Sequence, residues 1–269
     1  MRTVVAHGHI FKNAGSSLDW AFERNFGNGF CDHRDDIPMR REGGEYLENY
    51  LVKNPKIKAI SSHHMCDLSG IKNINIIPLY LIRHPIERIR SVYSFERKQK
   101  VDTPGAIAAK KYSFVDYVKW RMQPEVNATI RDYQTIYLSG CQTRRPELIV
   151  NEDIISRAMK NLKNSNCVGI VDKYDESMVV FEEYLKTSFP DIDLSYIRQN
   201  VTDKSSSDVD NKRLEVVQEL LPIIGKVFEN NSADMFLYTQ ANFYLDERIR
   251  QIEDFSEKLD KFKLRCAQL

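Results

Sequence analysis

Four short apolar runs, each entered or followed by a polar loop, constrain this chain more than any other feature. Thr3–His7, Ile57–Ser61, Ile76–Ile82 and Cys167–Val171 have the length and β-branched content of buried strands. Between them apolar residues recur at helical spacing. Leu18, Ala21, Phe22 and Phe26 follow the first run, and Ile86, Ile89, Val92 and Tyr93 follow Pro85, a residue suited to the first turn of a helix. Helices are also expected over 113–121, 127–139 and Met178–Leu185. Strands alternating with helices predict an α/β fold, a central parallel sheet flanked by helices that takes ligands at the strands' carboxyl ends. No repeat or linker divides the chain, so 1–269 reads as a single domain whose portion from about 209 to 269 is helical. In that portion Leu245, Ile249, Ile252, Phe255, Leu259 and Phe262 form a stripe that suits packing on the chain's own sheet or a homodimer seam.

Charge and cysteine usage narrow the function classes. Thirty-nine Lys and Arg face 38 Asp and Glu, a net charge of +1, so nothing pulls the chain as a whole toward nucleic acid or an anionic membrane. Any anion site must be local. No stretch approaches the length of a membrane span, and Met1–His7 lacks the apolar core of a secretory signal. Five scattered cysteines (Cys31, Cys66, Cys141, Cys167 and Cys266), an odd number with no CxxC, suit a reducing cytoplasm. On that reading the sequons at Asn127, Asn200 and Asn230 carry no weight. The charge run of Asp32, Asp35, Asp36, Arg40 and Arg41, and the basic stretch Lys98–Lys111, read first as solvated surface and second as parts of an acceptor cleft.

Two loops carry the chemistry. His9-Ile10-Phe11-Lys12-Asn13-Ala14-Gly15-Ser16-Ser17 leads from a strand into a helix. Its small residues allow close backbone approach, the helix's first N–H groups point outward, and Lys12 and the serine hydroxyls add donors, which together suit a phosphate or sulfate. It is not a Walker A loop, because Lys12 precedes Gly15 instead of following it. The second loop, Arg83-His84-Pro85, ends the Ile76–Ile82 strand, so the Arg83 guanidinium emerges at the sheet's ligand-binding edge, with Ser91 on the helix that follows. The plainer alternative for Arg83 is an ion pair with Glu87.

Taken together, these loops resemble a known pair. Lys12-Asn13-Ala14-Gly15-Ser16-Ser17 is similar to the Pro-Lys-Thr-Gly/Ala-Gly-Thr-Ser loop of sulfotransferases that use 3′-phosphoadenosine 5′-phosphosulfate (PAPS), and Arg83 through Ser91 resembles their Arg-Asp-Pro-x-x-Arg-x-x-Ser segment. The motifs are nearest those of the heparan sulfate 2-O- and 6-O-sulfotransferases and their bacterial cousins. Weaker echoes are Gln134–Gly140, Val168–Val171 with Phe181, and Asn200-Val201-Thr202, so the resemblance spans about 5–240. Phe11, Asn13 and His84 depart from the usual Pro, Thr and Asp.

The resemblance implies a P-loop-NTPase-like sulfotransferase fold and sulfuryl transfer from PAPS to a hydroxyl, with a carbohydrate as the expected acceptor and no metal required. Lys12 would neutralise the leaving 5′-phosphate. Asn13, Ala14, Gly15, Ser16 and Ser17 would cradle it, while Arg83 and Ser91 would grip the 3′-phosphate. The base is expected in Ser61-Ser62-His63-His64-Met65, with His64 preferred and His63 the alternative. A nucleotide kinase and a non-catalytic nucleotide- or glycan-binding module are the competing readings. Convergence of His7, His9, His63, His64 and Cys66 on a metal is a further alternative, but their spacing matches no standard zinc pattern, so no metal ligand is assigned.

Overall fold

A computed structural model describes residues 1–34, 36–141, 148–197 and 209–269. Five parallel strands form one sheet in the order β2-β3-β1-β4-β5, namely β1 (Arg2–Gly8), β2 (Phe30–Asp32), β3 (Ala59–Ser62), β4 (Ile74–Ile82) and β5 (Cys167–Ile170). The central strand β1 buries Val4, Val5 and Ala6 completely, as a strand covered on both faces must. Pro78 is tolerated within β4 because β5 pairing begins only at Leu79 opposite Cys167, and Ser165 Oγ donates to the Pro78 carbonyl at 2.8 Å on that side. The α/β architecture with a parallel sheet is therefore as the alternation predicts.

Helices cover both faces. On one, α1 (Gly15–Phe26), α8 (Tyr174–Leu185) and α12 (Phe255–Ala267) pack Leu18, Phe22, Phe181 and Phe262 on Val5, Leu79 and Cys167. On the other lie α2 (Asp36–Lys53), which bends at Gly43 with φ 55°, α6 (Tyr133–Leu138), α7 (Glu152–Asn164) and α11 (Ser232–Gln251). A third cluster joins α3 (Pro85–Lys98), α4 (Pro104–Lys111) and α5 (Phe114–Arg121) to α9 (Val209–Leu220) and α10 (Ile224–Glu229). No helix among the described residues is long and apolar enough to cross a membrane.

Several elements differ from the sequence expectation. The helix expected over 127–139 is confined to Tyr133–Leu138, because Asp132 takes a left-handed conformation (φ 41°) that helix interiors do not accept. The short strand β2 and helices α2, α4 and α7 carry patterns too short or too polar to be read beforehand. The C-terminal stripe belongs to two helices, broken where Asp254 turns left-handed (φ 53°). Its residues Leu245 and Phe262 are fully buried against the chain's own sheet, so that side of the stripe is used within the chain. The Asn200-Val201-Thr202 echo, the Asn200 sequon and Asp35 lie outside the described residues.

Candidate anion site at the strand ends

The chain leaves β1 for β2 on one side of the sheet and leaves β4 for β5 on the other. Connections that part in this way open a crevice at the strands' carboxyl ends. The two marked loops flank that crevice, 9–14 after β1 and 83–84 after β4.

The first loop is strained and uncapped. Lys12 (φ 66°) and Ala14 (φ 58°) both adopt positive φ, a conformation costing about 1–2 kcal/mol for a residue with a Cβ. Left-handed Ala14 followed by helical Gly15 is the backbone pattern that turns successive N–H groups into one concavity, and no side chain caps α1. Ala14 and Ser16 are exposed there, whereas Ser17 is buried. Asn13 holds the loop in place. It is buried, and its amide donates to the Leu81 carbonyl and to Gln134 Oε1, each at 2.6 Å. Its amide nitrogen is thus spent on scaffolding behind the loop, while its buried Oδ1 has no partner.

Gln134 joins the two loops, a role the sequence echo at 134–140 does not disclose. Its Oε1 also accepts the Arg83 N–H at 2.9 Å, and its Nε2 donates to the Arg83 carbonyl at 2.9 Å. Arg83 in turn donates from Nη1 to the Lys12 carbonyl at 3.3 Å. Its pair with Glu87 is long, Nε to Oε2 3.8 Å, and Nε has no hydrogen-bond partner. Glu87 is instead held by Arg213 of α9 at 2.8 Å, which also bridges to Asp172 at 2.8 Å. Burial and the like charge of Asp172 raise the Glu87 carboxyl to about 7 against the pull of these arginines.

A third cation completes the cluster. Arg88 is fully buried, donating from Nε to the Phe11 carbonyl at 3.0 Å and from Nη1 to the Thr129 carbonyl at 2.8 Å, with Tyr133 stacked 4.2 Å away. Its Nη2 has no partner, and no carboxylate lies within ion-pair distance of Arg88 or Lys12 among the described residues. The Lys12 ammonium sits 4.4 Å over the Phe95 ring of α3. Burial, then repulsion from Arg83, Arg88 and Lys98, lowers it to about 8. Ser91 is half-buried on α3.

The two candidate bases part company. His63 Nδ1–H donates to the His9 carbonyl at 2.7 Å, which fixes the tautomer and leaves Nε2 as the lone-pair nitrogen. Burial, then repulsion from His9, lowers its pKa to about 3, so it is neutral at ordinary pH. His64 follows it in the turn, with its backbone N–H on Ser62 Oγ at 3.2 Å.

Behind the cradle a histidine cluster forms, with a different membership from the one spacing suggests. His7 and His9, alternate residues of the β1 end, stack at 5.0 Å and present Nδ1 to Asp19 Oδ1 and Oδ2 at 2.7 and 2.8 Å. His63, His64 and Cys66 are not part of it among the described groups able to share an ion. Burial would raise the Asp19 carboxyl, but the two imidazoles outweigh it and hold the group well below the usual range. Gly15 makes room for this cluster. A Cβ there would meet the His9 ring at 2.6 Å and the His7 ring at 2.8 Å. Its small size therefore serves the histidines directly.

No family model matches the chain. An uncharacterized protein of Archaeoglobus fulgidus is 29% identical over 252 residues, covering 89% of this chain and 96% of its own length.

Proposed function

We propose that the protein transfers a sulfuryl group from PAPS to a hydroxyl, that of a carbohydrate, by in-line displacement. One observation carries this reading. Lys12, Arg83 and Arg88 gather beside the uncapped N-terminus of α1 in the sheet's crevice, Lys12 and Arg88 with no carboxylate in ion-pair distance among the described residues, and Glu87, 3.8 Å from Arg83, shared with Arg213. A buried cluster of cations only partly balanced by carboxylates is costly, and a bound anion lowers the cost. The residues fit a ligand with two separated phosphate groups: the concavity at Ala14–Ser17 with Lys12 for one, the unsatisfied Nε of Arg83 with Ser91 for the other.

When bound, PAPS supplies a sulfuryl group already activated for transfer. The chain contributes position and charge. Lys12 and the backbone N–H groups of Ala14–Ser17 stabilise the charge that grows on the leaving 5′-phosphate. Arg83 holds the 3′-phosphate that separates this donor from ATP. His63, its ring fixed by the His9 carbonyl, presents Nε2 to the acceptor hydroxyl and takes its proton. The anion in the cradle raises the His63 pKa by attraction, which strengthens it as a base when donor is bound. His64 remains the neighbouring alternative.

Calorimetric titration with 3′-phosphoadenosine 5′-phosphate, with ADP and with ATP plus magnesium, tests the reading. Metal-independent binding selective for the 3′-phosphate is expected. Equal or tighter binding of ATP with magnesium would transfer the assignment to a kinase, and product formation with an acceptor would separate an enzyme from a binding module.

A further inference from the structure

We propose that His7, His9, Asp19 and Ser61 form a site for a zinc-like divalent cation, buried behind the anion cradle. Three elements converge there. The strand register places Ser61 of β3 beside His7 of β1, and α1 brings Asp19 over both, one turn after Gly15. Ser61 Oγ lies 3.1 Å from His7 Nδ1 and 3.5 Å from His9 Nδ1, and Asp19 lies 2.7 and 2.8 Å from the same nitrogens. Two imidazole nitrogens, the two carboxylate oxygens and one hydroxyl oxygen therefore border one small volume. Tetrahedral zinc with bonds of about 2.0–2.1 Å separates its ligand atoms by about 3.3 Å, so the hydroxyl contacts at 3.1 and 3.5 Å already suit it and the carboxylate contacts at 2.7 and 2.8 Å would open by about half an ångström.

Hydrogen bonding satisfies Asp19 and the imidazoles here but leaves the Ser61 hydroxyl hydrogen without an acceptor. If both Nδ1 atoms carry protons, each donates to Asp19, and the Ser61 hydroxyl, with no exposed surface, has no acceptor for its hydrogen. If either Nδ1 is bare, its lone pair faces an ionised carboxylate oxygen at hydrogen-bond distance with no proton between them. A cation accepts all the lone pairs at once. The donor set of two imidazoles, a carboxylate and a hydroxyl matches zinc and its first-row neighbours better than magnesium or calcium. The burial of His7 and Ser61 makes the site closed, so its role is structural: it ties the end of β1, the end of β3 and the first turns of α1 into the rear wall of the cradle. Asp19 carries no motif, and the pairing depends on a helix meeting two strands. The site stands independently of the sulfuryl-transfer reading.

The test uses the full chain, loaded with zinc, passed through gel filtration and analysed for metal. Close to one zinc per chain is expected, with an upward shift in Tm on loading. Asp19→Asn and His9→Gln should each retain at least about tenfold less metal and lose the Tm shift. Loading with cobalt should give the intense visible bands of tetrahedral coordination without a thiolate charge-transfer band, because no cysteine belongs to the set. Wild-type protein that retains well under one zinc per chain after gel filtration would overturn the proposal. So would a cobalt spectrum showing thiolate coordination, which would place the ion at one of the cysteines. The wild-type measurements decide the question even if both variants fail to fold.

Discussion

The Arg83 guanidinium donates to the Lys12 backbone carbonyl at 3.3 Å, so the two loops that flank the crevice form one wall. Lys12→Ala and Arg83→Ala should therefore both weaken binding of 3′-phosphoadenosine 5′-phosphate, by about tenfold to a hundredfold each, the scale of one charge-assisted hydrogen bond. Calorimetry checks this. Arg83→Ala should also abolish the preference over ADP, whereas Lys12→Ala should weaken both nucleotides.

The Lys12 ammonium, lowered to about 8 by burial and then by Arg83, Arg88 and Lys98, gives binding a pH signature. An anion favours the protonated lysine, so above that pH the complex holds more protons than the free protein. Affinity should be level below pH 8 and fall as pH rises beyond it, approaching about tenfold per unit. Lys12→Arg, which stays charged, should flatten the profile across pH 7–9.5 titrations, the arginine pKa lying above about 12.

His63 and His64 can be separated by turnover. With its ring held by the His9 carbonyl, His63→Ala should keep nucleotide affinity and lower kcat by about a hundredfold or more. His64→Ala should act weakly. The reverse pattern would assign the base to His64.

Acid should destabilise the fold through His84, whose ring packs edge-on against Tyr238. Burial, then the positive charge of Arg213, lowers it from 6.5 to about 4. Between those values the unfolded chain binds more protons, so stability is full above pH 6.5 and declines as pH falls toward 4. After allowance for solvent the loss is about 2 kcal/mol. Urea unfolding of His84→Gln should show a correspondingly shallower decline.

Glycines 15 and 225 should respond in opposite directions. Gly15→Ala drives a methyl into the His9 and His7 rings and should cost about 1–3 kcal/mol, seen as a Tm lower by several degrees. Gly225 lies exposed in α10 with nothing within 4 Å of a Cβ, so Gly225→Ala should stabilise by about 0.5–1 kcal/mol.

Much of the frame is legible because its signals are local. The apolar runs at 3–7, 76–82 and 167–171 can lie only in a buried sheet, and each forms a strand there. Pro85 starts α3 at its first position, where a missing N–H costs nothing. Lys12 and Arg83 stand at strand ends, and alternation alone sends both to one edge. Less legible are α4 and α7, whose short amphipathic patterns resemble polar surface, and the breaks at Asp132 and Asp254, where a left-handed residue interrupts otherwise helical spacing.

The sequence by itself determined the layer architecture, the placing of two loops at one edge of the sheet and the presence of cations in them, because hydrophobic period and residue chemistry act over a few neighbours. Only the tertiary structure decided what those residues are free to do. Asn13 is turned inward onto Leu81 and Gln134. Glu87, the obvious partner for Arg83, is held by Arg213 from beyond position 200. Gly15 is small for the sake of two histidines, and Asp19 becomes their shared partner. Each outcome rests on a contact the fold makes between separate segments, and the packing of α1 on the sheet and of α9 on α3 selects it.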